Sequence, residues 1–366
     1  MVLRNYWWML IWPFLIGGIV TAFRYKKEEF VLGEVEIRWR WIPAVLLSAP
    51  YVIWAAWRTD SFGDTGVYRG TFYNMPVGLS EMASYLATRA KGKGFVVLEY
   101  LFKTCISESS VAFFFLIAIL QVIFIVRIYR KYSRNYWLSF FLFVASTDYY
   151  LWMHNGIRQF LAATLIFTCI PLLVRRRYLL MCLVIVAAAM LHSTALIYLP
   201  LLIVINGKAW NWRSILLVLV IIFAINYVDN ISGILVELMQ DTAYEGDIDI
   251  LLNDTGTSLL RVLFYGIPTA MSIYFRPYID RANDPMINIC VNLSVISTSI
   301  YIFSFFSSGI LFGAVPIYFG LGNYILIPWI IDEIFDSTSK RLVTILFIVV
   351  YSIFFYYQCG LTWGLA

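Results

Sequence analysis

The chain has little charge to spend on water. Only 13% of its 366 residues are Asp, Glu, Lys or Arg, and 61% are hydrophobic, with a mean hydropathy of +0.78. Soluble domains carry about 25% charged and about 45–50% apolar residues. A soluble globular protein is therefore excluded, and a polytopic membrane protein is left. Histidine is scarce too, with only His154 and His192. The five cysteines, Cys105, Cys169, Cys182, Cys290 and Cys359, are scattered without a CxxC or Cys/His spacing, so neither a disulfide framework nor a metal site is expected. No Walker loop, GxSxG elbow or HExxH is present, which removes soluble nucleotide, serine-hydrolase and zinc-protease chemistries. The net charge of +5 sits in short clusters between apolar runs and does not point to nucleic acid.

What is abundant fits a membrane. Aromatic residues make up 18%, including 13 Trp and 25 Tyr, side chains suited to the headgroup belts. Counted against the roughly 20 residues a helix needs to cross, apolar runs fall near 6–23, 41–57, 111–126, 136–150, 157–174, 178–190, 194–205, 214–228, 259–275, 286–306, 309–331 and 342–358. These are about 12 spans, two of them short, in a single integral membrane domain over 1–366. The first run lacks a small-residue cleavage site and reads as a retained span. Eighteen of the 27 Lys and Arg fall in the clusters 24–40, 127–134, 175–177, 208–213, 276–281 and 340–341, which the positive-inside rule assigns to the cytoplasm. Both termini then lie outside, as do two sizeable loops near 58–110 and 229–258. The first loop is expected to hold an interfacial helix near Phe95 to Cys105, and the second is acidic without Lys or Arg between Val228 and Leu259.

Candidate chemistry gathers at the outer ends of the spans. The insert Asp148 to Gln159, containing His154, Asn155, Arg158 and Gln159, interrupts two apolar runs, and His192-Ser193-Thr194 breaks a later pair. Ionisable residues at that depth are functional candidates, because they are costly unless they face protein, water or a bound anion. Arg58, Arg158 and Arg261 share this level; each is either a topology anchor or part of a clamp for pyrophosphate oxygens. His192 is the first candidate for a general base, with Asp64 and Asp60 as competitors or binders of sugar hydroxyls. The bland alternatives are a histidine bonded across helices and an Asx turn around Gly63 and Gly66. Tyr68 either stacks on a sugar face or belongs to the aromatic belt.

Taken in order, Arg58 with Gly63-Asp64-Thr65 and Tyr68, then Gly94-Phe95 and Leu98, then Asn155-Gly156-Ile157-Arg158-Gln159 and His192-Ser193-Thr194-Ala195, make the chain resemble the EpsG family of Wzy-type polysaccharide polymerases. The resemblance implies an all-α bundle of GT-C-like membrane-glycosyltransferase architecture in a bacterial cell membrane, with its site facing outside or the periplasm. It implies undecaprenyl-pyrophosphate-linked donor and acceptor glycans, with a flippase and a chain-length regulator as partners. A growing glycan would leave the pyrophosphate for the non-reducing-end hydroxyl of an incoming repeat unit. No metal cofactor is required, although magnesium could bridge Asp60, Asp64 and phosphate. One position departs: before Tyr318-Phe319 and Ile325-Leu326-Ile327-Pro328, Ala314 stands where such proteins carry Arg. It reads as an arginine lost or replaced, or as a slip in the alignment. Two other functions compete. A lipid-linked-glycan flippase should show internal repeats, and a membrane O-acyltransferase would draw its acyl donor from the face opposite His192.

Overall fold

A computed structural model describes residues 6–60, 62–88, 92–228, 254 and 256–363. Helix dominates, as the apolar runs require. In chain order come α1 (Trp7–Thr21), the strands β1 (Lys26–Val31) and β2 (Glu34–Trp39), α2 (Trp41–Ala56), α3 (Thr65–Tyr73), α4 (Leu79–Thr88), α5 (Lys93–Cys105) and α6 (Ser110–Tyr132). Then follow α7 (Tyr136–Ala145), α8 (Asp148–His154), α9 (Ile157–Thr168), α10 (Pro171–Val174), α11 (Tyr178–Leu191), a 3-10 turn (Ser193–Ile197), α12 (Tyr198–Ile205) and α13 (Trp212–Ile225). The last are α14 (Leu259–Tyr274), α15 (Arg276–Ala282), α16 (Pro285–Phe306), α17 (Gly309–Phe312), α18 (Ile317–Gly320), α19 (Asn323–Ile334) and α20 (Ser337–Tyr356), which runs into a π-helical turn.

Several helices start where the sequence supplies a cap. Asn135, Asn211, Asp284 and Asp336 each accept from backbone amides of the following first turn, satisfying donors that have no intrahelical partner. By length and apolar composition, four helical stretches among the described residues can cross a membrane: Ser110–Tyr132, Ile157–Val174, Pro285–Phe306 and Ser337–Thr362. Seven more apolar helices have 10–17 residues.

Three sequence expectations need correction. The run 136–150 is two helices, α7 and α8, parted at Ser146 and Thr147. The run 309–331 is not one helix but three pieces, α17, α18 and α19, broken around Gly313, Pro316 and Gly322. The stretch Lys26–Trp39, taken as a charged loop, is an antiparallel hairpin pairing Lys26 with Trp39 and Val31 with Glu34. Its two-residue turn, Leu32 at φ 51° and Gly33 at φ 102°, has both central residues left-handed, as a type I′ turn needs to match strand twist. The outer loop near 58–110 holds three helices, α3 to α5; the helix expected from Phe95 begins two residues earlier, at Lys93. The acidic loop lies outside the described residues except for 254 and 256–258.

The chain forms two compact units, one of residues 1–172, 177–196 and 327–366, the other of 173–176 and 197–326. In the first, α6 packs along α2 and α9, and α11 against α9 and α5. Buried polar tips are tied to backbone: Tyr136 Oη donates to Ala44 O (3.0 Å), Tyr149 Oη to Tyr51 O (2.7 Å) and Gln121 Nε2 to Ile157 O (3.0 Å). An aromatic cluster of Tyr68, Phe72, Phe95, Phe102 and Phe113 seats α3 and α5 on α6. In the second unit, α16 packs on α13 and α14. Hydroxyl and amide pairs join them: Thr269 with Ser294 and Thr298 (both 2.7 Å), and Ser214 with Asn292 (3.0 Å). Such bonds replace the hydrophobic drive that lipid cannot supply between helices.

Candidate functional site

The polar insert and the first outer loop meet in the first unit. After α8 the chain turns at Asn155-Gly156, where Ile157 N donates to Asn155 O (2.8 Å) and Gly156 sits at φ −74° and ψ 49°, close to an inverse γ-turn. A side chain at Gly156 would run into the Trp152 ring. The turn frees the Asn155 side chain to reach the other loop, and its Oδ1 accepts from Asp64 N at 3.0 Å. Gly63, at φ 51°, lies directly over that amide; a Cβ there would collide with Asn155 Oδ1 and Cγ. Gly-Asp and Asn-Gly, 91 residues apart, thus form one structure held by a single hydrogen bond and a close backbone approach.

Arginines surround this contact. Arg58, only 7% exposed, donates through Nη1 to Met153 O (2.7 Å) and His154 O (3.2 Å). Its guanidinium lies 4.0 Å from the Phe114 ring centroid. Burial pulls its pKa down to about 10, so it stays charged near neutrality. Arg69 donates to Arg58 O (3.3 Å), pairs with Asp60 at 2.5 Å and also overlies Phe114. Arg158, in the first turn of α9, has its guanidinium 5.5 Å from the Tyr68 ring and is hydrogen-bonded to the phenol. Burial raises the Tyr68 pKa against the opposing pull of Arg158, so the phenol stays neutral. The Nε–H groups of Arg58, Arg69 and Arg158 are buried and meet no acceptor among the described residues. Leaving a buried donor unpaired costs about 1–3 kcal/mol.

Two glycines bring the later motif alongside. A Cβ on Gly92, at φ 65°, would stand 3.2 Å from Arg158 Nη1 and 3.6 Å from Leu191 O. One on Gly94 would overlap Met190. The start of α5 therefore lies against both Arg158 and the end of α11, where His192 takes an extended conformation and breaks the helix. His192 Nδ1 is 2.7 Å from Thr194 Oγ1.

The predicted residues fall into three groups. Asp64, Tyr68, Asn155, Arg158 and Arg58 converge, with His192 beyond Gly92. Asp64 keeps an exposed carboxylate at the head of α3, whereas the carboxylate of Asp60 is engaged by Arg69. His154 is buried among Phe62, Tyr149 and Tyr150. Burial and the nearby Arg58 charge lower its pKa to about 3, so it is neutral at physiological pH. Gln159 is buried one residue beyond Arg158. Arg261 and Ala314 belong to the second unit: Arg261 overlies Tyr265 and Tyr301 at about 6 Å, and Ala314 is half-buried between α17 and α18. Sequence reasoning missed Arg69, Gly92 and the lock between Gly63 and Asn155. Arg69 did carry a signal, as one of the few arginines on the side that the positive-inside rule disfavours. Among the described residues no group of three or more His, Cys, Asp or Glu could hold a metal ion.

A comparison with protein-family models matches residues 41–360 to the EpsG family. That interval takes in every motif described above. Neither the curated proteins nor the solved structures include a match.

Proposed function

The chain belongs to the EpsG family, and from that premise we propose that it polymerises a surface polysaccharide at the outer face of the membrane, with the Asp64–Asn155–Arg158 region as its active site. Family membership and the apolar helices already make it a membrane-embedded protein of polysaccharide synthesis with a polymerase-like function. The proposal adds the donor, the acceptor and the roles of residues.

The growing glycan is carried on undecaprenyl pyrophosphate, and the acceptor is the non-reducing-end hydroxyl of an incoming lipid-linked repeat unit. In the reaction the bond between the anomeric carbon and the pyrophosphate oxygen breaks. A bond from the acceptor oxygen to that carbon forms, and the acceptor proton passes to a base. Departure of pyrophosphate separates charge in a partly dry site, where fixed donors count for more than in water. The observation that carries this reading is the set of three buried arginine Nε–H groups without acceptors around Tyr68 and Phe114. Arg158 acts as the principal phosphate ligand. Arg58, bonded to the carbonyls of Met153 and His154, holds the turn that presents Asn155 and Arg158. Asp64, exposed and fixed by its own amide, and His192, beside Gly92, are the two candidate bases. Tyr68 completes the binding of glycan and phosphate, with Gln159 supporting from α9. Magnesium is not needed for this scheme.

The test is polymerisation in nanodiscs from purified lipid-pyrophosphate-linked repeat units, read as a product ladder. Arg158→Ala should cut the rate by about 10²–10³-fold, the usual loss when one preorganised donor at developing charge is removed. Asp64→Asn and His192→Ala separate the two bases, since only the true base should abolish the ladder. A protein that extends no lipid-linked glycan, yet moves one across a bilayer, would make this a transporter.

A further inference from the structure

The first unit carries a second polar region, at the end of α2 and α6 opposite the Asp64 site. There the hairpin, the C-terminal half of α1, the end of α6 and the start of α7 enclose a cavity of about 800 Å³, within the size range of ligand pockets, about 300–1,000 Å³. Lys26, Arg38, Arg130 and Arg134 line it together with Glu34, Glu36 and Asp332. Two of those carboxylates are committed: Glu36 pairs with Arg38 and with Arg134 (3.1 Å), and Asp332 with Lys340 (2.6 Å). Glu34 sits at the exposed hairpin turn.

Donors are left over. Arg130, 3% exposed, spends its two terminal nitrogens on Glu29 (2.7 and 3.1 Å) and Trp39 O (2.9 Å), while its buried Nε meets no acceptor among the described residues. Arg134 pairs with Glu36 through Nη1 at 3.1 Å and is 28% exposed. Lys26 has no carboxylate partner among the described residues and lies 5.1 Å over the Tyr25 ring. The opposite wall is apolar. Phe14, 45% exposed, lies edge-on to Trp137 at 5.1 Å, and next to it Gly17 and Gly18 leave α1 bare of side chains. This wall continues into the exposed face of α1, formed by Ile11, Leu15 and Ile19.

We propose that this cavity binds the phosphate head group of a membrane lipid, with oxygens at Lys26 and Arg134, the buried Arg130 charge behind them, and the acyl chains along Phe14 and the face of α1. The chemistry recognised is a phosphate oxyanion held by cations that fixed carboxylates only partly neutralise. A lipid is its source because the polar wall and the lipid-facing wall form one surface, the arrangement of basic pockets between membrane helices that take anionic head groups. The site is independent of the polymerase reading, since it shares no residue with the Asp64 region.

Native mass spectrometry of the full chain tests it, after delipidation and re-addition of dioleoyl phosphatidylglycerol or of dioleoylglycerol, which lacks phosphate. One phosphatidylglycerol should bind per chain, dioleoylglycerol should not, and Lys26→Ala with Arg134→Ala should weaken binding about tenfold or more, two near-surface cations having been removed. Both positions are partly exposed, so the double variant should keep its folding and its melting curve reports whether it does; Phe14→Arg, which blocks only the apolar wall, is the second variant. Inorganic phosphate is added as competitor: failure to displace the lipid supports a lipid site, and displacement at equal concentration shows a soluble phosphate ligand and overturns the lipid assignment. Equal occupancy in the double variant and in Phe14→Arg, or equal binding of dioleoylglycerol, would overturn the site.

Discussion

Gly63→Ala is the sharpest perturbation of the site, because the contact it breaks is defined on both sides. At φ 51° an alanine pays for a left-handed backbone that glycine adopts freely, about 1 kcal/mol. Its Cβ would also overlap Asn155 Oδ1 and Cγ. The loops must therefore part and give up the bond from Asp64 N to Asn155 Oδ1, worth about 1 kcal/mol. The sum, about 2 kcal/mol, corresponds to roughly thirtyfold in polymerisation rate when the displacement is felt at the reacting centre. Asn155→Ala removes only the acceptor, about 1 kcal/mol or roughly fivefold. Because both changes break the same hydrogen bond, the double variant should fall about thirtyfold, not the roughly 150-fold that independent effects would multiply to. Initial rates of ladder formation for the four proteins, normalised to folded protein by size-exclusion profile, give the cycle directly. Losses that multiply, with a coupling below about 0.5 kcal/mol, would show that Gly63 and Asn155 act separately and that the lock is not what fixes Asp64.

Three further outcomes follow from the geometry. His154, with its pKa lowered to about 3, binds no proton in the folded chain between pH 5 and 8, while an unfolded histidine does below about 6.5; its share of stability is full above about 6.5 and is lost as the pH falls toward 3. A neutral limb in the pH–rate profile should thus vanish in His192→Ala, and its survival there would remove His192 as base. Arg130→Ala leaves Glu29, whose pKa Arg130 holds down to about 2, without its two-pronged partner. The hairpin should loosen, seen as faster amide exchange over 26–39, whereas unchanged exchange would show that the pair does not dock it. In the native chain the Glu29 contribution is complete above the ordinary carboxylate pKa and fades only as the pH falls toward about 2, so exchange over 26–39 should be flat from pH 5 to 8 once corrected for intrinsic rates. Ala314→Arg, at the half-buried position between α17 and α18 that the sequence resemblance aligns with an arginine, should strengthen the product ladder, and no gain would show that no arginine is needed there.

Much of the fold follows from the sequence alone, because a membrane imposes length and apolarity on its helices and forbids most alternatives. The apolar runs fall mostly on helix, although 309–331 is broken into three, 136–150 into two, and 194–205 begins as a 3-10 turn; four helical stretches among the described residues are long enough to cross a membrane. The hairpin was hidden for a physical reason: its residues alternate as strands do, Glu34-Val35-Glu36-Ile37-Arg38, but its charges double as topology signals, and the apolar alternation faces outward, with Val35 67% and Ile37 64% exposed. Composition and the ordered motifs also marked out Arg58, Asp64, Asn155, Arg158 and His192, since polar residues at membrane depth need a reason to be there. Tertiary structure alone decided what each touches. The sequence separation of 91 between Asp64 and Asn155 carries no record of the hydrogen bond that joins them. Nothing local distinguishes Arg58, whose Nη1 is taken by two carbonyls and whose guanidinium lies over Phe114, from Arg158, which lies over Tyr68 and bonds its phenol. Identity and depth are set by hydropathy, which each residue carries with it; partnership is set by which backbone groups the packed helices leave within reach, and that exists only once the chain has folded.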